Sequence, residues 1–223
     1  MRSNLFKSLI LVVVMLGATA FVSGDELDSL ADGELTFAAK RGVKLSSKNV
    51  ISNSNFKLIV EDSGKAVSNL DEVVAGQQFT ISVKPNKNAH LYVFNLDTSN
   101  KLYALFPRKD IRKKNPIKKK KKYNLPEGDE TFEFDASKGV EIFYAIASSK
   151  KIPRLEKLSK SLPANGKVIS SKTKELLDNP EQLYHVPGKS GKLFYKKLVL
   201  LHKASESEKV SDDIMERAKS EVK

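Results

Sequence analysis

The chain contains no cysteine. That absence excludes disulfides, thiolate-bound metal, a cysteine nucleophile and a lipidated cysteine at a cleavage point. Its stability must therefore come from its core. Histidine is almost as scarce: only His90, His185 and His202 occur, and none has a second histidine at the spacing of zinc ligands. The acidic stretch DELDSLADGE, residues 25–34, does not fit the register of a calcium loop. Also missing are G-x-S-x-G, a phosphate loop and H-E-x-x-H. Residues 188–192 read GKSGK, but they lack the upstream glycine, the preceding strand and the following helix, so they read as a turn. The expectation is a protein that is not an enzyme, with no catalytic residue, no cofactor site and no metal set.

Long apolar runs are lacking as well, apart from one. Residues 9–16 (LILVVVML) follow Arg2 and Lys7 and precede the small residues of GATAFVSG, the layout of an export signal. A spanning helix needs ~20 mostly apolar residues. The 17 uncharged residues from 8 to 24 include Gly17, Thr19, Ser23 and Gly24 and fall short of that. Cleavage is expected near Ala20 or Gly24, with Gly24 favoured because Asp25 opens a polar leader, residues 25–34. The mature protein is then periplasmic or secreted.

What is present is enough for one globular domain. The chain has 223 residues, 40% of them hydrophobic, which excludes wholesale disorder. Its net charge of +12 is unevenly placed. Removing residues 1–24 takes away Arg2 and Lys7 and no acid, leaving +10. Residues 108–122 carry ten basic residues and one acid, so nearly all the remaining charge sits in one segment. A uniformly basic surface would point to a broad polyanion-binding face; a basic segment on a neutral body is a local feature. Its members, the candidate anion contacts, are Arg108, Lys109, Arg112, Lys113, Lys114, Lys118, Lys119, Lys120, Lys121 and Lys122.

Period-two alternation dominates the chain. Leu35, Phe37 and Ala39, then Phe56, Leu58 and Val60, then Phe79, Ile81 and Val83 alternate with more polar residues, which puts each apolar set on one face of a strand. Turn clusters at 52–55, 62–65 and 75–76 separate these runs. Residues 89–96 (AHLYVFNL) and 140–147 (VEIFYAIA) are apolar on both faces and predict central strands. Residues 97–100 predict a hairpin turn into 101–106, and Pro107 ends that strand. Further strands are predicted at 123–125, 131–135 and 193–201. Helical spacing appears only late. Pro153 opens a run with Leu155, Leu158 and Leu162, Ser170 or Ser171 can cap 171–178, and Ser211 can cap a last helix with a thin stripe of Val210, Ile214, Ala218 and Val222. The expected fold is mainly β: an antiparallel β-sandwich-like domain over 35–203, with a few short C-terminal helices covering one end or edge, and a charged helix or tail over 204–223.

Five segments in order sharpen this picture: AGQQFTISV, HLYVFNLD, KLYALFPR, KKKYNLP and KGVEIFYAIAS. Together they resemble the bacterial domain-of-unknown-function family numbered 4384 across about residues 75–153. The resemblance implies a β-rich extracytoplasmic module, often joined to other domains, and no established activity. Arg108 stands where that family commonly has an asparagine after the Phe-Pro pair, and lysines fill the place of a glycine before Tyr123.

The remaining residues read as structural. Glu141 interrupts an apolar strand; it is either a buried carboxylate or, the favoured reading, an exposed edge residue. His90 reads as a packed strand residue. The aromatics lie along strands, apart from the basic segment, as core residues do; a platform for single-stranded nucleic acid would interleave the two. Lysines at the entrance of a strand block edge-to-edge pairing, and that account of residues 118–122 is favoured over contact with an acidic ligand. The functional expectation is a non-catalytic binding or structural module of the cell envelope, with a protein or envelope component as partner and no nucleic acid. The alternative is a polyanion- or anionic-lipid-binding protein acting through 108–122, and a third reading is an enzyme with an unrecognised site.

Overall fold

A computed structural model describes residues 50–61, 63–184 and 193–222. The export signal, the leader, the alternation at 35–39, His185 and the GKSGK segment lie outside these residues. Among the described residues, eleven strands form two sheets. In the first, β2 (Lys65–Ala66), β1 (Phe56–Val60), β4 (Gln78–Val83) and β7 (Tyr123–Leu125) run in that order, and β8 (Phe132–Glu133) also pairs with β4. The second has the order β10 (Lys167–Val168), β6 (Lys101–Phe106), β5 (His90–Leu96), β9 (Gly139–Ser148), β11 (Leu193–Lys203) and β3 (Glu72–Val74). Every pairing is antiparallel except β3 with β11, where Glu72 to Val74 run parallel to Leu201 to Lys203.

The one-sided alternation of β1 and β4 matches their role. Phe56, Leu58, Val60, Phe79, Ile81 and Val83 face the second sheet and are buried, while Lys57 and Gln78 are exposed. The second sheet answers with Leu91, Val93, Phe143, Ala145, Phe194 and Leu200 on its inner face. Its outer face is apolar too. Tyr92, Phe94, Ile142, Tyr144, Ile146 and Val199 pack against Leu155, Leu158, Leu176, Leu177 and Ala218 from three helices: α1 (Pro153–Ser161), α2 (Ser171–Asp178) and α3 (Asp212–Val222). The helices thus form a third layer across this face, whereas the sequence suggested cover at one end or edge. A strand apolar on both sides needs a layer on each. Ser170 caps α2 by accepting from the Thr173 N–H at 3.3 Å.

Polar contacts fasten the helical layer. The Lys197 ammonium on β11 pairs with Asp178 of α2 and Glu221 of α3, both at 2.7 Å, and Lys174 reaches the same two carboxylates at 2.7 and 2.9 Å. The Tyr144 hydroxyl donates to Asp178 at 3.1 Å. Burial works against charge on Asp178 and Glu221, but the two ammonium groups outweigh it and hold both carboxyls below their ordinary range. This network and the buried Ala218 anchor α3, a helix too short and thinly striped to be stable alone.

Candidate functional site

The inner face of the second sheet changes character at one end. Along β5 the inward residues run Leu91, Val93, then Asn95; along β9 they run Ala147, Ala145, Phe143, then Glu141. Register explains the convergence. Asn95 opposes Phe143 and Leu96 opposes Ile142, so one further step brings Asp97 level with Glu141. On the other side Leu200 opposes Glu141, and His202, two residues on, opposes Gly139. Three strands therefore deliver Asn95, Asp97, Glu141 and His202 to one end of the sandwich interior.

Two glycines allow the close packing there. Gly139 has φ +140°, and a Cβ on it would lie 2.5 Å from the Thr98 methyl in the β5–β6 turn. Gly166 has φ +71°, and a Cβ would lie 2.6 Å from the Tyr103 ring. That ring belongs to the site, because the Tyr103 hydroxyl donates to Asp97 at 3.1 Å. Asp97 also accepts from the Ser99 hydroxyl and the Lys101 N–H, each at 2.8 Å, which ties the hairpin turn to the cluster. Burial, then the charge of Asp97, pushes the Tyr103 hydroxyl up, so it stays protonated as a donor.

At this end lies a cleft of about 290 Å³ between the sheets. Asn95, Asp97, Tyr103 and Glu141 form one wall; Thr131, Glu133 and Asp135, on and beside β8, form the other, with Arg108 at the border. An aromatic cluster closes its apolar side, with Phe79 4.6 Å from Phe134, 5.4 Å from Phe132 and 5.5 Å from Phe143. Glu141 is 3% exposed; its Oε2 accepts from the Asn95 amide at 2.7 Å and its Oε1 lies 3.2 Å from His202 Nδ1. Burial raises the Glu141 pKa, and the His202 and Asn95 contacts only partly offset that. The favoured expectation of an exposed edge position is corrected: β9 lies between β5 and β11, and all ten of its residues are buried. With four carboxylates against one guanidinium, itself paired with Asp110, the cleft favours cations.

The predicted anion contacts do not form one site. Arg108 pairs with Asp110, and its guanidinium lies 5.9 Å from the Phe132 ring centre. Lys113 pairs with Glu127. The Lys114 ammonium donates to the carbonyls of Arg108 and Ile111 at 3.3 and 3.1 Å. Lys109 and Arg112 are exposed. Lys118, Lys119, Lys120, Lys121 and Lys122 are all exposed, on a tight turn rather than an extended loop. Its backbone is held: Lys118 N–H donates to the Tyr123 hydroxyl at 2.7 Å, Lys119 N–H to Asn88 at 2.9 Å and Lys120 N–H to the Pro85 carbonyl at 2.7 Å. The turn feeds β7, which lies at the edge of its sheet, as expected of charges that protect an edge. A separate groove of about 300 Å³ does gather Arg108, Lys109 and Lys114 with Lys151, Lys160 and His90, facing the single acid Glu156. His90, half-buried at the start of β5, lines this groove.

The cleft residues escaped sequence reasoning because they are distant in the chain. Glu141 and His202 are 61 residues apart and meet only through strand pairing. The one local signal was a carboxylate within an apolar strand. Fold and site together define a β-sandwich module with a helical outer layer and an acid-lined cleft at one end. Residues 72–151, which supply β3 through β9 and every cleft-lining residue, match the family described as Domain of unknown function (DUF4384). No curated protein and no solved structure matches the chain.

Proposed function

We propose that the protein is an exported, non-catalytic binding module of the cell envelope, and that its ligand enters the cleft as a cationic group. One observation carries this reading: among the described residues, an otherwise apolar sandwich interior becomes polar at one end, where Asn95, Asp97, Tyr103 and Glu141 converge. Hydrogen bonds among themselves hold these groups as a preformed polar wall that a ligand can meet. Export rests on the signal-like residues 1–24. The test is a photo-crosslinking residue at Glu133 in exported protein, with and without Thr131→Trp to fill the cleft. A crosslinked envelope component that disappears with Thr131→Trp, at unchanged melting temperature, supports the reading. A crosslink unaffected by the blocked cleft, or protein retained in the cytoplasm, overturns it.

A second reading has its own observation, the groove of Lys109, Lys114, Lys151 and Lys160. It makes the protein a binder of anionic polymer or lipid. Retention on heparin or anionic vesicles that falls steeply with salt, and is lost with Lys109→Gln/Lys114→Gln, supports it; retention unchanged in high salt refutes it.

A further inference from the structure

Two residues of the cleft lining, Asp135 and Glu141, meet a third group outside it, His202. Asp135, Glu141 and His202 each present one donor atom, and the three atoms lie within 4.8 Å of one another. We propose that these residues form a binding site for one divalent transition-metal ion of the zinc class; this rests on the reading of the cleft as the ligand site and names the cation it takes.

Three features support the assignment. The first is spacing. Zinc holds oxygen and nitrogen donors at ~2.0–2.2 Å, so adjacent donors of a tetrahedral ion sit ~3.3 Å apart. Glu141 Oε1 and His202 Nδ1 are 3.2 Å apart.

The second is orientation by outer partners. The Asn95 amide holds Glu141 Oε2 at 2.7 Å, leaving Oε1 toward His202. The Ser137 N–H holds Asp135 Oδ1 at 2.7 Å, leaving the other carboxylate oxygen to engage an ion. Each carboxylate thus has one oxygen fixed and one available, as outer-sphere donors arrange for metal ligands.

The third is shared burial. His202 is 1% exposed and Glu141 3% exposed, so both lose their water together. An ion held between His202 Nδ1 and Glu141 Oε1 offsets the cost of a carboxylate in the interior.

The donor set selects among metals. An imidazole with two carboxylates suits zinc or manganese better than calcium or magnesium, which take oxygen ligands in larger number. Three protein donors leave zinc's fourth position open. Asp135 and Glu141 both line the cleft, so a carboxylate or imidazole of a partner entering there can complete it.

The experiment is calorimetric titration of the purified chain with zinc chloride at neutral pH, with imidazole nitrogen shifts followed by NMR. The expected result is one ion per chain, a Kd at or below the micromolar range, and a large shift of the His202 nitrogens. Calcium binds at least a hundredfold more weakly. Asp135→Asn, an exposed change that leaves the core intact, weakens zinc at least tenfold, while His90→Gln does not. Glu141→Gln abolishes binding; if that buried change unfolds the protein, Asp135→Asn alone decides. Zinc that binds without shifting His202, or with equal affinity to Asp135→Asn, overturns the site. The Glu133 crosslink, repeated with a chelator, separates the two proposals. A crosslink that survives chelation but not Thr131→Trp, with no zinc bound, leaves the cleft reading standing and refutes the metal. Zinc bound at His202 with no cleft-dependent crosslink does the reverse.

Discussion

Replacing Lys197 with methionine tests how the helical layer is held. The substitution keeps an apolar stem against the Tyr144 ring, which the Lys197 ammonium overlies at 5.9 Å, and removes only the charge. Two 2.7 Å ion pairs disappear, to Asp178 and Glu221. Breaking a fully buried pair costs ~3–5 kcal/mol, whereas exposed pairs contribute ~0–1 kcal/mol. These side chains retain between 17% and 24% of their exposure, and Lys174 stays to compensate both carboxylates. The expected cost at pH 7 is therefore ~1–2 kcal/mol, between those limits. For a domain of this size that lowers the melting temperature by ~2–8 °C.

The pH dependence gives a stricter test. Asp178 and Glu221 have depressed folded pKa values, so their contribution is present above the unfolded carboxylate pKa of ~4 and is lost as pH falls through the folded values. Thermal melts of wild type and Lys197→Met should differ at pH 7 and draw together below pH ~4. The double variant Lys197→Met/Glu221→Gln should lose less than the sum of the two single changes. Equal melting temperatures at pH 7, or a gap that persists undiminished in acid, would refute the network's role.

Three further outcomes are expected. Replacing all five of Lys118, Lys119, Lys120, Lys121 and Lys122 with glutamine should leave urea stability within ~0.5 kcal/mol, because backbone bonds hold the turn, while Tyr123→Phe should cost ~1 kcal/mol by removing the acceptor for the Lys118 N–H; a large loss in the glutamine variant contradicts this. Gly139→Ala should destabilise by more than ~2 kcal/mol, since its φ of +140° and the 2.5 Å approach to Thr98 leave no room; denaturation at wild-type urea concentration argues against that packing. Lys196→Met should be neutral or stabilising in the same assay, because burial lowers the Lys196 pKa and, among the described residues, its ammonium meets only the Phe56 carbonyl and ring; a loss above ~1 kcal/mol would mean that carbonyl contact outweighs desolvation.

Local pattern carried most of the secondary structure. Alternation placed β1 and β4, the Asp97–Asn100 turn placed the β5–β6 hairpin, and Pro107 ended β6 where expected. The short β2, β3 and β10 were not legible, because two or three residues make no period and these strands exist only by pairing at sheet edges. The family motifs were legible because they are contiguous, and the matched span of 72–151 nearly coincides with the expected one.

By itself the amino-acid sequence determined the class of fold, the family-like span and the concentration of positive charge in 108–122, since each is a property of neighbouring residues. Tertiary structure decided that β9 is central, and hence that Glu141 is buried rather than exposed. It also turned the helices into a full third layer and dispersed the ten basic residues among ion pairs, a groove, a turn and, for Arg112, open surface. Above all it brought Asp135, Glu141 and His202 together. Strand order and register set which distant side chains share a face, and neither is written in the period of any single strand.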